Sequence, residues 1–261
     1  MTVTTAQNQN GDIADPPARR PPRSRRRRAL KIAVIVAVCL IAAFALVSVG
    51  ALLYFGSDRP QAYEERVREI ERTLGNPAPQ GVVLLTGSSY FENWHTSESD
   101  LAPLDTVNVG IGGTKIGEQI ALFDRLVVPF HPRALVVYAG SNDISGLPLL
   151  TKDPDTVVAR VKEYVHLVHD RFPDLPVYYV AITEAPSREN VRDSIVRANT
   201  LLREWADEAG EMTFIDTAPE LLTADGDIDA SLFVEDRLHL NEQGYEKFSA
   251  VIRERLLADL G

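Results

Sequence analysis

The chain has 261 residues, of which 45% are hydrophobic and 25% are charged, which is enough for one sizeable globular domain with appendages. Its one cysteine, Cys39, excludes an intramolecular disulfide and a zinc site built from several cysteines. The formal net charge of −10 is unevenly divided, since residues 1–31 carry +6 and the remainder carries −16. An acidic body does not favour nucleic-acid binding, because phosphate contacts need a positive surface.

The first 55 residues contain a polar tail and an apolar segment. Residues 1–31 are rich in proline and arginine, and we expect them to form a disordered basic tail. Residues 32–55 carry no charge, and at about 1.5 Å per residue in a helix they are long enough to cross a hydrocarbon core of roughly 30 Å. This length predicts a transmembrane signal anchor. A cleaved signal peptide fits less well because its apolar region is usually shorter, and a lipoprotein signal fits less well because Val38, not a small residue, precedes Cys39.

The arginine cluster directly before the apolar segment predicts its orientation. Basic residues that flank a first membrane helix usually stay in the cytoplasm. We therefore expect the acidic body to lie outside the cytoplasm on a cell membrane, and the arginine-rich tail with an Ala- and Val-rich anchor is typical of a bacterium. The same cluster could serve as a nuclear-import or nucleic-acid patch, but its position against the apolar segment favours the topology signal.

The rest of the chain alternates strands with helices. Residues 56–79 are predicted to be a linker and an amphipathic helix over 63–74, followed by a domain over 80–261. Apolar runs predict strands at 82–86, 105–109, 134–139, 176–182 and 212–216, and helical spacing predicts helices at 115–128, 155–172, 190–209 and 243–260. This alternation predicts a parallel sheet in a three-layer sandwich. The sequence contains neither GxGxxG nor GxxxxGK[ST], the motifs that cradle a nucleotide.

The first apolar run ends at Gly87-Ser88-Ser89, which places two serines at the carboxyl end of a buried strand. In open α/β sheets this edge is where ligands bind, so a hydroxyl there is placed for chemistry. The alternative is that Ser88 and Ser89 only cap the next helix.

Asp236 and His239 lie three residues apart in a segment predicted to be a loop over the same edge. A carboxylate at that spacing can hold the imidazole Nδ1–H and leave Nε2 free to take a proton from a serine hydroxyl. The alternative is an Asp–His pair that only fastens a surface loop. Turns after the second and third strands add N–H donors for a developing oxyanion, from the Gly113 backbone and the Asn142 side chain, and the Ser89 N–H would complete the set.

Four motifs in this order resemble blocks I, II, III and V of the SGNH (GDSL-like) hydrolases. They are Gly87-Ser88-Ser89, Gly113 after Asn108-Val109-Gly110, Gly140-Ser141-Asn142-Asp143 and Asp236-Arg237-Leu238-His239. The resemblance covers residues 82–260 and implies a flavodoxin-like α/β/α sandwich with five parallel strands, an esterase activity and no cofactor. It implies that Ser89 is the nucleophile, His239 the base and Asp236 its orienting acid, with Ser89, Gly113 and Asn142 as the oxyanion hole.

This sequence departs from the family's Gly-Asp-Ser-Leu, since Ser88 replaces the acid and Tyr90 the leucine. The substitution leaves substrate preference open and makes Ser88 a rival nucleophile. Ser88, Tyr90, Trp94 and Arg237 are candidates to line a substrate pocket. Trp94 could instead pack on the body, and Arg237 could contact either an anionic substrate or a surface carboxylate.

No metal site is predicted. His166, His169 and Asp170 lie close together on one predicted helix, but no further ligand stands at suitable spacing.

The sequence therefore predicts a membrane-anchored serine esterase that works through an acyl-enzyme on a short acyl ester of an envelope glycan or a lipid. Two alternatives remain at this point: a non-catalytic glycan-binding module on the same fold, and an acyltransferase that passes the acyl group to a sugar hydroxyl. No nucleic-acid partner is predicted, and nothing in the sequence indicates an oligomeric state.

Overall fold

The computed structural model describes residues 23–261, so residues 1–22 of the predicted tail (1–31) lie outside the described residues. The chain divides into two compact units, Met1–Ala51 and Leu52–Gly261. Helix α1 (Arg23–Gly56) begins in the first unit and ends in the second.

Helix α1 starts within the arginine cluster, so the expectation of a disordered tail is wrong for residues 23–31, which are helical. Arginine is a good helix former, and a helix that has nucleated in the apolar segment propagates at little cost. The stretch Arg26–Leu52 is 27 residues long and contains an 18-residue window with a mean hydropathy of 3.1, no residue of which is buried. It is long and apolar enough to span a membrane, as a signal sequence would also be.

The second unit is built on a parallel sheet, which within residues 23–261 has five strands in the order β2-β1-β3-β4-β5. The strands are β1 (Val83–Gly87), β2 (Thr106–Asn108), β3 (Ala134–Tyr138), β4 (Val177–Val180) and β5 (Thr213–Ile215). Each lies inside or within a residue of a predicted apolar run. The predicted five-stranded parallel sheet is confirmed.

Helices cover both faces of this sheet. One face packs against α2 (Glu64–Leu74), α5 (Ile116–Leu126), α6 (Pro154–Arg171) and α7 (Arg192–Ala209), and the other against α3 (Ser89–Glu92), α4 (Ser97–Asp100) and α8 (Glu242–Leu260). Successive side chains of a strand point to opposite faces, so Leu84 packs with the first group while Val83 and Leu85 pack with the second. The result is the predicted three-layer α/β/α sandwich.

The segment between α1 and the sheet belongs to the second compact unit. A 3-10 turn (Pro60–Tyr63) leads into α2, whose Val67 and Ile70 are buried in the core below the sheet. The predicted amphipathic helix over residues 63–74 is therefore present, and its apolar stripe packs on the core beside the sheet.

The exit from β1 depends on a glycine. Gly87 has φ +149, and a Cβ at this position would overlap the backbone carbonyl of Tyr138 on β3. Only glycine combines this backbone conformation with so close an approach. The chain can therefore turn sharply from β1 into α3 and present Ser89 at the edge of the sheet.

Candidate active site

The candidate residues Ser89, Gly113 and Asn142 follow β1, β2 and β3, respectively, at the carboxyl edge of the sheet. The strand order reverses at β1, which has β2 on one side and β3 on the other. Ligands of doubly wound sheets bind at such a reversal, outside the carboxyl ends of the strands. The topology alone thus brings three distant segments to one place.

A serine, a histidine and an aspartate form a hydrogen-bonded chain at this edge. The Ser89 Oγ lies 2.8 Å from His239 Nε2, and His239 Nδ1 lies 2.6 Å from Asp236 Oδ2. An ionised carboxylate only accepts, so Nδ1 carries the proton and Nε2 is left to accept from the serine hydroxyl. In this arrangement a serine can act as a nucleophile, with the histidine as its base and the aspartate as the acid that orients the histidine.

Backbone geometry holds the loop that carries Asp236 and His239. The Asp236 Oδ1 accepts hydrogen bonds from the backbone N–H groups of Leu238 at 2.8 Å and His239 at 2.9 Å. From below, the Tyr90 hydroxyl donates to the Leu238 carbonyl at 2.6 Å. The imidazole is therefore fixed both through its partner and through the chain on which it stands.

The same contacts decide the charge of Asp236. Burial raises the pKa of this carboxyl, but the N–H donors of His239 and Leu238 and the imidazole together outweigh burial, and the pKa is lowered from its ordinary value. Asp236 is therefore ionised at neutral pH, which is the state that can hold Nδ1–H and stabilise an imidazolium.

Candidate N–H donors for an oxyanion lie in the turns after β1, β2 and β3. Gly113 has φ +81, a conformation that favours glycine, and a Cβ at this position would lie 3.4 Å from the Tyr63 hydroxyl. Ser89 is the first residue of α3, and within residues 23–261 no backbone hydrogen bond of a turn, loop or cap has the Ser89 or Gly113 N–H as its donor. The Asn142 Nδ2 donates to the Thr114 carbonyl at 3.0 Å, which uses one of its two hydrogens and fixes its amide over the β2–α5 loop.

Glu92 fastens the β2–α5 loop to the helix that carries Ser89, a role that the sequence analysis missed. Its Oε2 accepts the Gly112 N–H at 2.9 Å and its Oε1 accepts from Arg66 Nε at 3.1 Å. A Cβ on Gly112 would lie 3.5 Å from the Cβ of Ser89, so this loop runs directly beside the serine. The available signal was the spacing of Ser89 and Glu92, which puts both on one face of a helical turn.

The prediction that four residues line a substrate pocket is wrong for three of them, because their side chains are buried. Ser88, Tyr90 and Trp94 are each no more than 1% exposed, so none can line an open pocket. Trp94 packs on the body and donates its Nε1–H to Asp100 at 2.7 Å, whereas Tyr90 supports the histidine loop. Arg237 is exposed beside the Asp–His pair and remains a candidate.

The structure also distinguishes Ser88 from Ser89, which were both considered as helix caps and as candidate nucleophiles. Ser88 occupies the position before α3 but makes no capping hydrogen bond through its side chain, and its buried hydroxyl has no partner among the described residues. Its neighbour Ser89 is the serine that contacts His239. The structure therefore brings Ser89 and not Ser88 to the imidazole.

Among residues 23–261, no group of three or more His, Cys, Asp or Glu side chains could hold a metal ion. His166, one of the histidines considered above, instead lies 2.9 Å from the Glu211 carboxylate at the protein surface.

The fold is shared with solved structures of low sequence identity. A protein from Bacteroides fragilis NCTC 9343 assigned as an acylhydrolase has 20% identity and a TM-score of 0.63 over 78% of this chain and 100% of its own. A GDSL-like lipase from Bacteroides thetaiotaomicron VPI-5482 has 18% identity and a TM-score of 0.60 over 77% and 98%. An acetylxylan esterase from Geobacillus stearothermophilus has 15% identity and a TM-score of 0.55 over 68% and 95%. No curated protein matches the chain.

At these identities the structural likenesses show the fold alone, and the family rests on the sequence. Residues 80–247 match the model of the GDSL-like Lipase/Acylhydrolase family, which is more than half of the chain and includes every strand and both halves of the Ser–His contact. The chain therefore belongs to the GDSL-like lipase/acylhydrolase family and is a carboxylic ester hydrolase of the SGNH type.

Proposed function

We propose that this chain is a membrane-anchored serine esterase that cleaves short acyl esters through an acyl-enzyme, with Ser89 as nucleophile, His239 as general base and acid, and Asp236 as the residue that orients His239. The observation that supports it most directly is the 2.8 Å contact between Ser89 Oγ and His239 Nε2, backed by the 2.6 Å contact to Asp236. A serine hydroxyl is a weak nucleophile unless a base of this kind is in place.

The proposed reaction begins when Nε2 takes the hydroxyl proton as Oγ attacks the ester carbonyl. The carbonyl oxygen becomes an oxyanion, and the N–H groups of Ser89 and Gly113 and the Asn142 amide are the proposed donors to it. The tetrahedral intermediate collapses when the bond to the alcohol breaks and His239 returns the proton to the leaving oxygen. Water, deprotonated by His239, then attacks the acyl-enzyme, and the acid is released with Ser89 regenerated.

The proposed setting is a cell membrane, with α1 as an uncleaved anchor. Support comes from the exposed apolar stretch Arg26–Leu52 and from the arginines at its N-terminal end, which favour a cytoplasmic N-terminus and an extracytoplasmic hydrolase domain. We accordingly divide the chain into a tail (1–31), an anchor (32–55), a connection (56–79) and a hydrolase domain (80–261). A tethered esterase is suited to immobile substrates such as acylated envelope glycans or lipids, and an acetylxylan esterase is among the proteins of similar fold.

A fluorophosphonate probe tests the nucleophile. We expect it to label the full-length chain in detergent and to lose this labelling in the Ser89→Ala variant. The Ser88→Ala variant is the matched control, because it removes a neighbouring hydroxyl that lacks a partner, and it should label like the parent. Labelling that survives Ser89→Ala would contradict the proposal. In a separate assay of the active parent, the rates on chromogenic acetyl, butyryl and long-chain esters would rank its preference for acyl groups.

A further inference from the structure

The loop between β3 and α6 exposes leucines at the same edge of the sheet as Ser89. Residues 144–151 carry no charge, although a quarter of the chain is charged. At the tip of this loop Leu147 and Leu149 are 54% and 84% exposed. Leu149 also has φ +65, which disfavours any residue but glycine. This leucine tip, defined as Leu147 and Leu149, is thus an apolar surface held outward in an unfavourable backbone conformation.

The end of α1 lies directly beside this loop. Within the second compact unit, a Cβ on Gly56 would lie 3.9 Å from Leu150 Cδ2, and the Leu150 N–H donates to the Leu147 carbonyl at 3.1 Å. Gly56 stands four residues after Leu52, the last residue of the stretch Arg26–Leu52, and directly after residue 55, where the proposed anchor ends. Four residues reach at most about 14 Å, whatever direction the chain takes, and each headgroup layer is about 5–8 Å thick. The leucine tip is therefore within reach of the membrane interface.

Ionic contacts hold the segment after α1 against the hydrolase fold. The Asp58 carboxylate lies 2.7 Å from Arg160 and 3.6 Å from both Lys115 and Lys152. The Arg59 N–H is held as well, by Glu118 Oε1 at 2.8 Å. Lys115 belongs to the loop that carries Gly113, and Lys152 ends the loop that carries the leucine tip. The segment that leaves the apolar helix is thus fastened to the two loops at the catalytic edge, so the distance estimated above is not extended by a flexible linker.

We propose that the leucine tip docks into the interface of the membrane that α1 spans, so that the catalytic edge faces the lipid surface. This docking proposal rests on the proposed esterase function and narrows it. The substrate is then an acyl ester carried on a lipid or a lipid-linked glycan in that membrane. Asn142 stands five residues before Leu147, a reach of at most about 18 Å, so an ester at headgroup level is close to the oxyanion donors. Apolar insertion suits a body with a net charge of −16, which anionic headgroups do not attract.

Fluorescence quenching in vesicles tests the docking. The full chain, in a Cys39→Ala background, carries bimane on Leu149→Cys and is reconstituted in phosphatidylcholine and phosphatidylglycerol. We expect spin-labelled lipids to quench this probe strongly and aqueous iodide to quench it weakly. The control is Val196→Cys on α7, another exposed apolar position, where the two quenchers should act in the reverse order. Equal accessibility of both positions to iodide, with no lipid quenching at Leu149→Cys, would overturn the docking.

A pair of acetate esters tests the substrate class. One is a free coumarin acetate, and the other is the same acetate coupled to a phosphatidylethanolamine headgroup in the vesicles. The double variant Leu147→Ser with Leu149→Ser should lower turnover of the tethered ester by at least about fivefold while the free ester changes less than about twofold. Val196→Ser should change neither. Equal loss on both esters, or loss on neither, would show that the tip does not deliver the substrate.

The docking proposal and the proposed esterase function can be contradicted independently of each other. If the parent turned over neither ester and Ser89 did not react with a fluorophosphonate, the proposed function would fall, whereas the quenching measurement would still decide the docking because it needs no turnover.

Discussion

At the scale of single residues, the side chains of the candidate site are oriented by the backbone or by a single neighbouring residue. Ser89 is aimed by the turn at Gly87, His239 by Asp236, and Asp236 by two backbone N–H groups of its own loop. Each of these side chains is thus held by backbone geometry or by one neighbour, so that in the proposed reaction it would have little freedom left to lose in the transition state.

Asn142 allows the proposed oxyanion hole to be tested on one donor. Asn142→Ala removes an amide that the Thr114 carbonyl already orients, so we expect kcat to fall roughly 100- to 1000-fold while KM changes little. The control is Asn190→Ala, because the Asn190 amide also fastens the β3–α6 loop, through the Gly146 carbonyl, but it is not a proposed donor to the oxyanion. Steady-state kinetics on a soluble acetate ester would measure both. Equal losses in the two variants would instead indicate that loop stability is responsible.

Glu92 is predicted to act by positioning the Gly112–Gly113 segment. Glu92→Ala frees the Gly112 N–H, and a loop that shifts by about 1 Å should lower kcat by roughly ten- to a hundredfold. Glu69→Ala is the matched control, since it removes the other carboxylate partner of Arg66 and leaves the loop untouched. Kinetics and thermal melts of both variants would separate the two effects. A drop in Tm without a change in kcat would contradict the positioning role.

The residues that meet at the site could be named from the sequence because each stands in a short motif at the end of an apolar run. What could not be read was the direction of neighbouring side chains. Trp94 and Tyr90 follow the serine as closely as any pocket residue would, yet Tyr90 on α3 and Trp94 just after α3 are both buried. That direction depends on packing against α8, more than 150 residues later, which no local pattern contains.

At the scale of elements, strand positions followed from apolar runs closed by glycine or polar residues, and helix ends were shifted by a few residues. The helix predicted over 190–209, for example, begins as α7 at Arg192, because a 3-10 turn (Pro186–Val191) precedes it. The docking of the 56–79 segment was not predictable. It depends on ion pairs between Asp58 and residues of α6 and two loops, all distant in sequence.

The contact between α2 and α5 has a predicted pH dependence. The Arg125 guanidinium binds Glu64 at 2.7 Å and both oxygens of Glu71 at 2.7 and 2.8 Å. These hydrogen bonds lower the pKa of both carboxyls below their ordinary value of 4.5. Because the folded-state pKa is the lower one, the stabilisation is complete above that ordinary value and is lost as pH falls through the lowered values.

We therefore expect Arg125→Gln to lower Tm near neutral pH and to approach the parent as the pH is taken from about 6 to about 3. Thermal melts of the full chain across that range would measure the gap. Arg255→Gln is the control, since it breaks one exposed pair with Asp259 inside α8, and such pairs contribute little. A gap for Arg125→Gln that stays constant over the whole range would show that packing of the arginine, not its charge, is responsible.

At the scale of the whole molecule, charge and hydropathy change in a fixed order from the N-terminus to the C-terminus. A basic tail precedes an exposed apolar helix, and an acidic hydrolase follows it. A short apolar h-region would be cleaved, whereas a longer one is retained as an anchor. The proposed anchor and orientation both follow from this order, and both can be measured on the intact chain.

A chain tagged at both ends and produced in bacteria should appear in the membrane fraction as one species that carries both tags, because α1 is proposed to be retained. Protease added to spheroplasts should remove the C-terminal tag and spare the N-terminal one, since the arginines hold the tail in the cytoplasm. Replacing Arg25, Arg26, Arg27 and Arg28 with glutamine should make orientation mixed, with part of the N-terminal tag digested. A smaller species that keeps only the C-terminal tag and is released from the membrane would instead show that the apolar segment is a cleaved signal.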